Sequence, residues 1–157
     1  MKINVIILLA ATLVSGICHA ECGQGAEVAN GFLDDYIKYN ADVYNQKTQE
    51  TDLQWIKRNE KLTDNFKKAY KNLVEQAQKQ DPELGLGFDP IFDAQDYPDQ
   101  GFNIVNCEQQ SNLVTLAGKN KEWENFKVVL KVINTKKGWR VDGAGVINIP
   151  KNKQASR

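Results

Sequence analysis

The hydrophobic period of this 157-residue chain changes at Asp81-Pro82. Upstream, apolar residues recur every three or four positions, and downstream every two, so helices come first and strands after. From Ala26 onward, Val28, Phe32, Leu33, Tyr36, Ile37 and Tyr39 share one helical face, with Asp34, Asp35 and Lys38 outside. Asn40 to Thr51 is rich in Asn, Gln and Thr and reads as a loop or a frayed continuation, with Val43 and Tyr44 available for packing. Asp52 is placed to cap a short turn holding Leu53, Trp55 and Ile56. Thr63 is placed to cap a longer helix from Asp64, whose stripe runs through Leu62, Phe66, Ala69, Tyr70, Leu73, Val74 and Ala77. Its wet face carries Lys67, Lys68, Lys71, Glu75 and Lys79, with Glu75 and Lys79 at pairing distance. Pro82 ends it, because proline disfavours the helical conformation in the residue before it.

Beyond Pro82, Phe102 to Cys107, Leu113 to Ala117, Phe126 to Ile133 and a segment through Trp139 and Val141 predict four strands. The links 108–112, 118–121 and 134–138 are short, which makes each neighbouring pair antiparallel. Gly143 and Gly145 fall in the last strand and suggest a bulge that bends the sheet. The expected fold is α+β, with N-terminal helices packed on a curved four-stranded antiparallel sheet. One domain over 21–150 accounts for the pattern, and the polar tail 151–157 is expected to fray.

The first twenty residues have the order of a secretory leader: Lys2, an apolar run from Val5 to Val14, then Cys18-His19-Ala20 as a cut site after Ala20. The run is shorter than the ~20 residues needed to span hydrocarbon. A lipid-carrying cysteine wants a small residue before it, whereas Ile17 precedes Cys18 and Glu21 precedes Cys22. The expected location is periplasmic or secreted. Removing Lys2 leaves 19 basic against 20 acidic residues, which argues against nucleic acid as a partner. Processing also leaves Cys22 and Cys107 as a lone pair in an oxidising compartment, so a disulfide between them is expected. It would close a loop of about 85 residues and stabilise the domain by about 4 kcal/mol on the chain-entropy model. His19 is the only histidine and leaves with the leader, which removes imidazole catalysis, Ser-His-Asp triads and histidine-bearing zinc sites.

The run Leu86-Gly87-Phe88-Asp89-Pro90-Ile91-Phe92-Asp93-Ala94-Gln95-Asp96-Tyr97, followed by strands and then Gly138-Trp139-Arg140-Val141-Asp142, resembles an uncharacterised bacterial envelope family, domain of unknown function three-eight-two-eight. That family is similar to cystatin-like or nuclear-transport-factor-two-like folds. The resemblance spans roughly Val28 to Ile149. It implies a cone-shaped sheet wrapped on helices with a pocket at its open end, and no activity. Members of the family often look like lipoproteins, from which this chain departs.

The best place for a site is 88–101, which gathers Asp89, Asp93, Asp96 and Asp99 with Gln95 and Tyr97. Its acidic spacing does not fit a calcium loop, so these aspartates are expected to hold turns, with Asp89-Pro90 packing Phe88, Ile91 and Phe92 beneath the sheet. No metal, cofactor or catalytic residue is assigned. Asp142, Asp96, Tyr36 and Tyr70 are the residue types that carboxylate-based acid-base chemistry would use, although Asp142 has the parity opposite to Trp139 and Val141. Trp139 reads as core, while Trp123 and Trp55 can serve either packing or a partner, Trp123 being the better binding candidate. The leading expectation is an exported, non-catalytic binding protein that engages another envelope protein. One version is an immunity-type inhibitor of an envelope-delivered toxin. The alternative is a small-molecule pocket protein with lyase or isomerase chemistry on a buried carboxylate.

Overall fold

Apolar spacing from Ala26 builds a helix, α1, over Gly23–Tyr44, followed by α2 (Asp52–Arg58) and α3 (Asp64–Gln80). Strands β1 (Phe102–Glu108), β2 (Leu113–Gly118), β3 (Lys127–Thr135) and β4 (Gly138–Ala144) follow in a meander of order β1-β2-β3-β4, every pair antiparallel. The structure, a computed structural model, describes residues 23–156. The expected leader, its cut site and Cys22 lie outside the described residues. Among those described, no helix is long and apolar enough to cross a membrane.

Helix α1 is longer than the spacing predicts. Asn40 does not break it, because its side chain faces a polar partner, donating to the Tyr97 hydroxyl at 2.8 Å. The helix stops only where Gln46 takes a left-handed conformation, φ 56°. Val43 and Tyr44 therefore sit on its last turn but stay exposed, Tyr44 at 88 %. The cap of α2 is Thr51 and not Asp52: Thr51 and Gln54 satisfy one another's backbone amides in a capping box. Asp52 is thereby left to accept the Tyr39 hydroxyl at 2.7 Å. Thr63 caps α3 as expected, accepting from Phe66 N at 3.0 Å. On its wet face Glu75 pairs with Lys71 and not with Lys79.

The core lies between α1 and the inner face of the sheet, and α1 touches all four strands. Phe32 and Leu33 of α1 meet Phe102, Leu116, Val128, Leu130 and Val141, all fully buried. Each such side chain contributes about 1.5–3 kcal/mol by leaving water. Trp55 is buried too, while Trp139 is half-buried against the core. Alternation sends Val129 to the outer face, where it packs with Leu113 and Ile149. Ala155 joins this second cluster, Lys153 pairs with Glu108 at 2.9 Å, and Gln154 donates to Ile149 O at 3.0 Å. The tail thus packs against the sheet through residue 155 instead of fraying, because Lys153, Gln154 and Ala155 find partners there.

Two bulges bend the sheet. In β4, Val141 faces Val132 and Gly143 faces Lys131, which leaves Asp142 as the extra residue. Val105 plays that part in β1, between Ile104 and Asn106. Gly145 falls just past β4, in the turn closed by Ala144 and Ile147. The outer edge of β4 is covered by Lys61 to Thr63: Val141 N donates to Lys61 O at 2.8 Å, and Thr63 N to Val141 O at 3.0 Å.

Gly25 sets the distance between α1 and β4, because a Cβ there would lie 2.9 Å from the Trp139 ring and 3.0 Å from Val132. Gly25→Ala gains helix propensity but forces these side chains apart, for an expected net loss of about 1–2 kcal/mol in urea denaturation. An unchanged midpoint would show that Trp139 yields freely.

Candidate functional site

Tyr36 of α1, Tyr70 of α3 and Asp89 of the loop before β1 meet at the helical end of the domain. Helical spacing puts Tyr36, Tyr39 and Phe32 on one face of α1, stacked or tilted against Trp55 at ring distances of 5.1–6.0 Å. The Tyr36 hydroxyl donates to Asp89 Oδ2 at 2.9 Å, and Tyr70 is buried beside them. Asp89 Oδ1 accepts from Ile91 N at 2.8 Å and Phe92 N at 3.1 Å. This is the turn the sequence predicts, and Ile91 and Phe92 are fully buried beneath it. Phe88 departs from that expectation and stays 36 % exposed. The segment leads outward past Gly85 and Gly87, both in the left-handed region, before Asp89 turns it in.

Above these groups lies a hollow of about 570 Å³ between the end of α1, α3 and residues 84–97. Tyr36, Tyr70, Asp89, Asp52, Asn40, Gln78 and Tyr97 provide its polar lining. Its rim is apolar: Val43, Tyr44, Leu53, Leu84 and Phe88 all line it. Those five, with Val105, are the large hydrophobic side chains exposed among the described residues. Their gathering at one opening is the main surface feature of the domain, since scattered apolar residues are ordinary and clustered ones mark contact sites.

The acidic candidates separate. Asp89 and Tyr97 line the hollow, with Tyr97 stacked on Phe92 at 4.1 Å. Asp96, Asp99 and Gln95 are exposed, Gln95 donating to Gly87 O at 3.0 Å, and Asp93 is half-buried with φ 55°. None of these four lines the hollow, and neither does Trp123, which packs edge-on against Phe126 beside β3. Asp142 is at a different place: strand parity turns it from Val141 as expected, yet it is buried, held by Lys131, Thr63 and Asn65. Sequence reasoning missed Asn40, Asp52 and the rim residues. The sequence misleads at the rim: Leu84, Leu86 and Phe88 alternate with glycine at strand spacing, yet Gly85 and Gly87 are left-handed and the segment forms turns instead.

Burial raises the Asp89 carboxyl above the ordinary aspartate range, against the pull of its hydrogen bonds from Phe92, Ile91 and Tyr36. A carboxyl that holds its proton more tightly in the folded state makes ionisation a cost to folding, present near neutral pH and relieved as pH falls. Asp89→Asn removes that cost and keeps an oxygen for the two backbone amides. Relative to the parent, it is expected to be best tolerated at pH 7 and to lose ground at pH 4, as compared by urea midpoints. The opposite trend would mean that Asp89 is stabilised as the anion.

The arrangement is thus a hydrogen-bonded tyrosine-carboxylate floor under an apolar rim, within an α+β domain. Compared with protein-family models, curated proteins and solved structures, the chain finds no match.

Proposed function

We propose that this is an exported, non-catalytic binding protein of the cell envelope that engages another envelope protein through the rim of the hollow. One observation carries the reading: among the described residues, five of the six exposed large hydrophobic ones line a single opening. Exposed apolar side chains gain from being covered, and a cluster in one place gives a partner enough contact to bind. An immunity-type inhibitor of an envelope-delivered toxin is one form such a protein takes. Its export and a Cys22–Cys107 disulfide belong to the same proposal. Gly23, the residue after Cys22, lines one hollow with Cys107, which supports that pairing.

The rival, a lyase or isomerase pocket, needs a carboxylate free to take a proton inside a closed cavity. Asp89 instead accepts three hydrogen bonds, two that hold its own turn and one that ties it to Tyr36 of α1. The space between α1 and the sheet is filled by Phe32, Phe66, Phe92 and Phe102.

Photo-crosslinking in the living host tests the proposal. A crosslinker at Leu84 or Tyr44 is expected to trap one envelope protein, while one at exposed Val105 is not. Glu at both rim positions should weaken capture about tenfold. Equal trapping from all three positions, or none, would overturn the assignment of the surface. Peptide mapping of the same material should find the chain starting at Glu21 with Cys22 joined to Cys107.

A further inference from the structure

The hollow that carries the proposed binding role also has a sign of charge. Asp52 and Asp89 line it, and no lysine or arginine does. The loop beside it extends the pattern: between Lys79 and Lys119 the chain has no basic residue, while Asp81, Glu83, Asp89, Asp93, Asp96 and Asp99 fall within 81–99. The chain as a whole is balanced, with 20 basic and 20 acidic residues, so this is a local asymmetry. Tyr36, Tyr70 and Tyr97 are all held above the ordinary tyrosine range, first by burial and then by the charges of Asp89 and Asp52.

Aromatic faces add to the attraction. Tyr44 is 88 % exposed at the rim and Phe88 is 36 % exposed. A cation gains over such rings and beside a carboxylate, whereas an anion is repelled by both. Asp52 keeps one oxygen on the Tyr39 hydroxyl and is itself exposed, which leaves its second oxygen available to a donor from outside.

Resting on the binding role above, we infer that the hollow receives a lysine or arginine side chain from the partner protein, seated with a flanking apolar residue on the Leu84, Phe88 and Tyr44 rim. The apolar rim supplies contact area, and the acidic, aromatic lining selects the charge that enters. Association is accordingly faster at low salt, because the field of residues 81–99 steers a basic segment toward the opening.

Fluorescence anisotropy with labelled peptides tests this on the purified protein. The probes are Leu-Arg-Phe and Leu-Lys-Phe peptides, compared with citrulline and norleucine at the central position. The charged pair is expected to bind about tenfold more tightly, with the advantage shrinking between about 50 mM and 500 mM salt. Asp52→Asn, which keeps an acceptor for Tyr39, and Tyr44→Ala, which removes an exposed ring, should each reduce that advantage several-fold. Neither should move the thermal midpoint, so a loss of preference is not a loss of fold. Equal affinity for the neutral peptides would overturn the inference. So would displacement of the arginine peptide by tetramethylammonium at similar concentration, since the site would then take small organic cations and not a partner's side chain. The two proposals fail separately: crosslinking from Leu84 without a charge preference removes only the basic segment, and a charge preference without crosslinking removes only the envelope partner.

Discussion

Gly145→Ala is expected to lower the unfolding free energy by about 4 kcal/mol, at the upper end of what a single methyl group does. Two effects combine. The residue sits at φ 56°, where a side chain costs about 1 kcal/mol relative to glycine. The larger effect is steric, because its Cβ would lie 2.3 Å from Pro90 O and 2.4 Å from Ile91 O. Those are backbone atoms that cannot swing aside as a side chain would. They are also pinned from both sides: Gly145 N donates to Val129 O at 3.1 Å, Val146 N to Pro90 O at 3.0 Å, and Ile91 is wholly buried. Relief therefore requires the turn at Asp89 to leave the sheet, which would pull Asp89 from Tyr36 and open the hollow. Gly138→Ala is the control, since Gly138 has φ 91° but its Cβ would meet only the Arg140 side chain at 3.7 Å. That variant should lose about 1 kcal/mol in the same denaturation experiment. Equal losses at the two positions would mean that left-handed backbone strain explains both and that the contact with Pro90 is soft.

The contrast between these glycines also marks what the sequence made legible. Period located α1, α3 and the strands, because each apolar face has a continuous surface to cover and an error of one residue would expose it, whereas α2 was legible only as a short turn. Period did not reveal the close approach at Gly145, which depends on where residues 90 and 91 return in space. Asn40 was misread for a related reason. Its polarity resembled the end of a helix until Tyr97, 57 residues away, supplied its partner. The site was half legible: Asp89 announced its turn through the following proline, and Tyr36 and Tyr70 fell on the correct stripes. The rim did not announce itself, since an exposed Leu84 or Tyr44 in a sequence looks the same as a buried one. Alternation correctly sent Asp142 away from Val141 but said nothing of Thr63 and Asn65 lying over it.

Asp142→Ala is expected to destabilise the domain by about 3 kcal/mol, because it removes one member of a buried network and leaves the others unpaired. Asp142 Oδ1 accepts from Thr63 Oγ1 at 2.8 Å and Asn65 Nδ2 at 3.2 Å, while Oδ2 accepts from Lys131 Nζ at 2.9 Å. The Thr63 hydroxyl is shared, since it also accepts from Phe66 N to cap α3. One carboxylate therefore joins the β4 bulge, the start of α3 and the outer face of β3. Lys131 retains 35 % side-chain exposure, so it can turn to water, which keeps the loss below that of a fully buried pair. Asp142→Asn should cost about half as much, as its oxygen can still accept from Thr63 but offers no charge to Lys131. Acid separates these terms. Burial alone would raise this carboxyl, but the bonds from Lys131, Thr63 and Asn65 outweigh it and hold the group below the ordinary aspartate range. The anion's stabilisation is thus fully present above the unfolded-state value and is lost as pH falls through the lower folded one. The gap between parent and Asp142→Asn should therefore be wide at pH 7 and narrow toward pH 2, opposite in sense to the trend expected at Asp89. A gap that stays constant across that range would mean Lys131 contributes no more than a neutral donor, and that the strength of the junction comes from Thr63.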